Sequence, residues 1–131
     1  MPDTPSPTGW YYCSYLLRLT RDDDADTHNP EARFTSYENT VLIRARSSSE
    51  AYDKTLNIAH QNETAYTNAL QQKVRWRLVG ITDILPIYKE LEDGAEIAFT
   101  SRPPRKLKNL QKWVLPRERF AQNQPSPKET P

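Results

Sequence analysis

The segment that most constrains the fold is Trp10 to Arg21, WYYCSYLLRLTR, in which Tyr11, Cys13, Tyr15, Leu17 and Leu19 form an unbroken apolar series at period two. Only an extended strand puts those five side chains on one face. The segment therefore predicts a β-strand whose odd positions face the core and whose even positions face outward. Glu38 to Arg46, ENTVLIRAR, repeats the pattern, with Val41, Ile43 and Ala45 turned inward. The intervening DDDADTHNPEAR has no periodicity and carries clustered like charges, so it reads as a loop. The run Ser47-Ser48-Ser49-Glu50 places a serine three residues before a glutamate, the spacing that lets a hydroxyl and a carboxylate each satisfy an orphan amide at a helix start. Ala51, Thr55, Ile58 and Ala59, widened by Tyr52 and Leu56, continue at helical spacing to about Asn62.

Beyond the helix, Thr64–Gln72 is polar and carries no assignable pattern, whereas Val74, Trp76 and Leu78 alternate as a third strand. Gly80 is placed to mark a bulge that shifts the phase before Ile81 and Ile84. Pro86 lacks an amide hydrogen and ends or turns the strand. A turn at Glu92-Asp93-Gly94 leaves Ile97 and Phe99 for a short last strand. The expectation is an α+β fold: a three- to four-stranded antiparallel sheet with one helix on one face, in ββαββ order, with a basic C-terminal arm.

With 131 residues, of which 36% are hydrophobic, the chain suits one modest domain and excludes a two-domain enzyme. Three glycines against eleven prolines exclude a glycine-rich phosphate loop. The net charge of +1 conceals a division: residues 1–100 carry −5 and residues 101–131 carry +6. Such segregation points to nucleic acid, an acidic partner or an anionic surface, the plainer reading being a solvated tail. A single cysteine, Cys13, excludes an intrachain disulfide and a thiolate metal site. The N-terminal MPDTPSPTGW does not resemble a secretory signal, and no stretch has the length of a membrane span, so a soluble cytoplasmic protein is expected. Residues 1–9 and 121–131 are rich in Pro, Ser and polar residues and are expected to be mobile arms flanking a domain at 10–100 and a basic amphipathic arm at 101–120.

Taken together, WYYCSYLL at 10–17, ENTVLIRA at 38–45 followed at once by a Ser/Glu helix start, WRLVGITDILPIY at 76–88 and LEDGAEI at 91–97 resemble the family known as domain of unknown function 4288. The resemblance covers residues 10–100 and implies a bacterial, cytoplasmic, single-domain α+β protein. It implies nothing about catalysis.

The even positions supply the candidate surface. Trp10, Tyr12, Leu16 and Arg18 on the first strand, Leu42, Arg44 and Arg46 on the second and Lys73, Arg75 and Arg77 on the third are expected on one outward face. Arginine forks suit carboxylate or phosphate, and aromatic rings among them stack bases or side chains. The plainer reading is a polar outer face whose arginines pair with the chain's own acids. The arm RPPRKLKNLQKWVLPRERF at 102–120 holds seven Lys/Arg. Arg105 to Leu115 has the spacing of a short amphipathic helix stopped by Pro116, with Leu107, Leu110, Trp113 and Val114 on its apolar side. Arg105, Lys106, Lys108, Lys112, Arg117 and Arg119 supply the charge for a protein partner with an acidic or apolar groove, or for nucleic acid. Asp22, Asp23, Asp24 and Asp26 lack the spacing of a calcium loop, and His28 and His60 have no second ligand at metal spacing, so no metal, cofactor or catalytic residue is expected. The expected function is a non-enzymatic protein-interaction module, an accessory subunit of a larger assembly docked through the arm and the Arg/aromatic face; the alternative is nucleic-acid binding through the same elements.

Overall fold

The computed structural model describes residues 5–122, which form two units divided between Phe99 and Thr100. The first is an α+β domain. Its strands are β1 (Trp10–Arg21), β2 (Ser36–Arg44), β3 (Ala65–Thr67) and β4 (Lys73–Pro86), and helix α1 (Ser48–Gln61) lies between β2 and β3 in the chain. The four strands form one antiparallel sheet in the order β2-β1-β4-β3. The connection through α1 thus carries the chain from one edge of the sheet to the other, and β4 returns to lie beside β1.

The inner face is built as the alternation demands. Tyr11, Cys13, Ile43 and Ala45 are buried with Ala51 of the helix, and Tyr15, Leu17 and Trp76 are buried with Ala59. Val41 and Ile58 pack against both clusters and join them into one core. The helix presents Ala51, Thr55 and Ala59, small residues four apart, to the bulky rings of the sheet, which allows the two layers to approach closely. Buried hydroxyls are satisfied: Thr55 donates to the Ala51 carbonyl at 2.7 Å, and Asn62 donates to the Tyr15 oxygen at 2.8 Å.

Helix α1 starts at the serine cluster. Ser47 is the N-cap, its Oγ accepting from the Glu50 amide at 3.1 Å, while the Glu50 carboxylate closes on the Arg46 amide at 3.1 Å. At the other end, Glu63 accepts from the Leu78 amide at 2.9 Å and meets His60 Nδ1 at 2.6 Å. Both carboxyls are held below the ordinary glutamate value of 4.5, Glu50 first by the Arg46 amide and then its guanidinium, Glu63 first by the Leu78 amide and then His60. A depressed folded-state pKa contributes stability that is present above 4.5 and is lost as the pH falls through the folded value. The urea midpoint should therefore fall on acidification below 4.5, and Glu63→Gln should flatten that fall while costing about 0.5–1 kcal/mol near neutrality, allowing for solvent screening. An acid limb equally steep in the variant would refute the assignment.

Several expectations need correction. No strand forms over Ile97–Phe99; the fourth strand is β3, which pairs Ala65, Tyr66 and Thr67 with Arg75, Val74 and Lys73. Its three residues are too few to show a period. The turn after it is fixed by Asn68, whose Oδ1 accepts from the amides of Leu70 and Gln72, with Gln71 at φ 61°. Along β4 the pairing with β1 shifts twice, once on each side of Gly80, leaving Val79 and Thr82 out of register. Those bulges restore Ile81 opposite Tyr15 and Ile84 opposite Cys13, on the core side. The strand ends at Pro86, and the buried Ile87 follows with its amide on the Trp10 carbonyl at 2.9 Å. Residues 6–9, part of the stretch expected to be mobile, form a turn tied to the domain: Ser6 and Thr8 hydroxyls donate to the Ile87 carbonyl at 3.0 and 2.7 Å. Residues 1–4, and the tail beyond residue 122, lie outside the described residues.

The second unit contains α2 (Leu107–Gln111) and α3 (Arg117–Gln122). The single helix expected over 105–115 is only five residues long, because no side chain caps its start at Lys106 and nothing in the unit buries its apolar residues. Pro116 does not merely stop it. Its carbonyl accepts from the Arg119 amide at 3.0 Å, opening α3, in keeping with proline's tolerance at helix starts.

Candidate interaction surface

The register of the sheet brings the even-numbered residues of β1 and β2 together on the outer face. Trp10 lies opposite Arg44, Tyr12 opposite Leu42, Ser14 opposite Thr40 and Leu16 opposite Glu38. On the other side of β1, Arg18 lies opposite Arg77 and Thr20 opposite Arg75. The expected cationic face divides into two ends. Trp10 and Arg18 are eight residues apart on one strand, about 26 Å at 3.3 Å per residue. Between them lie Tyr12, Leu16, Leu42 and Leu85 with two acids, Glu38 opposite Leu16 and Asp83 opposite Ser14, and Ser14 and Thr40 share a hydrogen bond of 2.9 Å.

At the first end, the Arg44 guanidinium lies 5.6 Å from the Trp10 ring, within cation–π range. Arg46 does not belong to this face. The strand ends at Arg44, and Arg46 turns to the start of α1, where its Nε and Nη2 bond Glu50 at 3.1 and 3.0 Å. At the second end, Arg18 is taken up by the β1–β2 loop: it donates to the Thr27 carbonyl and lies 4.6 Å from the Phe34 ring. Arg77 Nε donates to Thr20 Oγ1 at 3.1 Å. Arg75 and Arg77 are half-buried, whereas Lys73 and Arg44 are exposed. The plainer reading of self-pairing with acids thus describes Arg46 and, more weakly, Arg77, whose charge helps to lower the Glu63 carboxyl, but not Arg18 or Arg44.

In the arm, Trp113 is the organising side chain. The Arg102 and Arg105 guanidinium carbons lie 4.3 and 5.1 Å from its ring. Leu107 and Leu110 lie on α2, and Trp113, Val114, Leu115 and Phe120 remain exposed beside them. Lys106, Lys108, Lys112, Arg117 and Arg119 are exposed as well.

Two features escaped the pattern. Leu85 keeps the outward parity of Arg75 and Arg77, since two one-residue bulges cancel in phase, but the slip they add sets it opposite Tyr12, which simple alternation does not show. Leu85, Pro86, Tyr88, Ile97 and Phe99 also line a pocket of about 190 Å³, made by the segment 96–99 folding beside the end of β4. The run of Ile97 and Phe99 carried the signal, but it served a cavity wall instead of a ladder. The groups with displaced pKa values lie elsewhere. Burial raises Cys13, against a weaker opposing hydrogen bond with Thr55, and burial raises Tyr66 with Tyr37 adding to it. Among the described residues no three His, Cys, Asp or Glu side chains gather as a metal site, and no helix is long and apolar enough to cross a membrane.

These features define a small α+β domain with a helix packed on one face of its sheet, followed in the chain by a separate basic segment. Residues 10–99 match the family described as domain of unknown function (DUF4288), and the chain belongs to that family. No curated protein and no solved structure matches it.

Proposed function

We propose that the chain is a non-enzymatic protein-interaction module, an accessory subunit that docks through its basic arm, with the outer sheet face as a second contact. The observation that carries this reading is the apolar exposure of the arm. Leu107 is 68% exposed, Val114 75% and Phe120 61%, in a segment whose two helices have five and six residues. Isolated helices shorter than about 12–15 residues are marginal in water, so helices this short gain persistence from a surface that covers them. Seven Lys/Arg over residues 102–120 around those apolar side chains favour an acidic protein groove with an apolar floor. Trp10 with Arg44, and Tyr12 with Leu42, offer a mixed aromatic, cationic and apolar patch of the composition that interfaces favour.

The test is affinity purification of the full chain beside one lacking residues 102–131. The full chain should retain a protein partner, and the truncated chain should lose it while keeping its melting transition. Equal recovery by both would exclude the arm as tether. Recovery of nucleic acid instead, with a gel shift that weakens steeply above about 50 mM salt through counterion release, would replace this reading with the nucleic-acid one.

A further inference from the structure

Strand β2 is an open edge. The Ala45 amide donates to the Gly9 carbonyl at 3.0 Å and the Leu19 amide donates to the Thr35 carbonyl at 2.8 Å, so odd-numbered residues along this strand direct their peptide groups toward β1. The even-numbered residues Ser36, Glu38, Thr40, Leu42 and Arg44 direct theirs away from the sheet. Among the described residues only the Arg44 carbonyl on this edge is taken, by Lys54 Nζ at 2.6 Å. Proteins usually guard such a row with a short strand, a proline, a bulge or like charges, and the two charges here, Glu38 and Arg44, are of opposite sign. The opposite edge, β3, has three residues, whereas β2 has nine, SYENTVLIR, in continuous register with β1 and without proline or glycine.

We propose that β2 pairs antiparallel with β2 of a second copy about Val41, joining two four-stranded sheets into one. Charge and parity select both the occupant and the register. With Val41 opposite Val41, Glu38 of each copy faces Arg44 of the other, twice by symmetry, and Thr40 faces Leu42. The even-numbered residues become the hydrogen-bonded pairs, as their outward peptide groups require. No like charges meet. A two-fold at Thr40 would instead set Glu38 against Leu42 and leave both charges without a facing partner. Within one copy Glu38 is exposed and makes no ion pair among the described residues, and Arg44 rests on the Trp10 ring without an acid. Leu42, 50% exposed on the same face, would be covered beside its partner's Thr40. This pairing uses no residue of the arm and does not depend on the function proposed for it, although Arg44 and Leu42 also belong to the outer-face patch proposed as a second contact.

Sedimentation velocity of the full chain over a concentration series tests it. The parent should pass from monomer to dimer as concentration rises. Glu38→Arg and Arg44→Glu should each raise the concentration needed by about tenfold or more, because two opposite-charge cross-strand pairs become like-charge pairs. An equimolar mixture of the two variants should recover the dimer, since every arginine then faces a glutamate. Leu42→Lys, which leaves both charges in place, should weaken the dimer by a separate route. A parent that stays monomeric throughout would overturn the proposal, as would a dimer indifferent to these substitutions or a mixture that fails to recover.

Discussion

Replacing Trp76 by alanine should bring the domain close to unfolding. The indole is buried in the core cluster of Tyr15, Leu17 and Ala59 and stacks on Tyr37 with ring centroids 5.0 Å apart. Removing a buried tryptophan costs about 3–5 kcal/mol through lost transfer energy and the cavity left behind. Domains of this kind retain only about 5–15 kcal/mol in total. Collapse around the cavity is limited, because the small side chain opposite, Ala59, is anchored in the helix and cannot extend to fill it. Urea unfolding should show the midpoint fall by a large fraction of its parent value. A midpoint within about 1 kcal/mol of the parent would mean that Tyr15 and Leu78 repack, and that the second cluster is not the keystone of the sheet–helix contact.

The elements legible in the sequence were those whose period runs longer than the noise. β1 buries Tyr11, Cys13, Tyr15 and Leu17 at period two, although Ser14 and Thr20 of the other parity are buried too and Leu19 only half so. The Ser47–Glu50 spacing identifies the start of α1 because capping requires those two side chains at that interval. Gly80 marked the site of a phase change, and the register shifts fall on both sides of it. What escaped was set by distant partners. β3 exists because Ala65–Thr67 finds the free side of β4, which no local pattern announces. Ile97 and Phe99 have the composition of a strand, yet they form a pocket wall beside Leu85 and Pro86. The outer face was readable by parity on β1 and β2, but parity does not reveal that the loop returns to bring Thr27 and Phe34 onto Arg18. Nor does it show where a strand stops: two residues past the end of β2, Arg46 answers to the helix and not to the sheet. In the arm, periodicity located the apolar residues of α2 but not α3, whose start depends on Pro116.

A second substitution, Trp113→Ala, should separate binding from folding. Trp113 lies in the second unit, outside the core built by β1, β2, β4 and α1, so the melting transition of the domain should stay within about 0.5 kcal/mol of the parent. Its loss should fall on the partner. The ring supports Arg102 and Arg105 at 4.3 and 5.1 Å, and removing it deprives both guanidiniums of the surface that orients them. Buried tryptophans with adjoining arginines are the commonest interface hot spots, each costing about 2 kcal/mol or more on truncation, which is about thirtyfold in affinity. Trp113→Phe should recover part of the loss, because a phenyl ring keeps an aromatic face for the two arginines. Reversing Arg44 and Arg75 to glutamate supplies the contrast, since they lie at opposite ends of the outer face, with Arg44 exposed and Arg75 half-buried. If that double reversal abolishes partner binding while Trp113→Ala leaves it unchanged, the sheet face is the anchor and the arm is an accessory. If Trp113→Ala alone removes thirtyfold or more, the arm holds the partner and the sheet face contributes orientation.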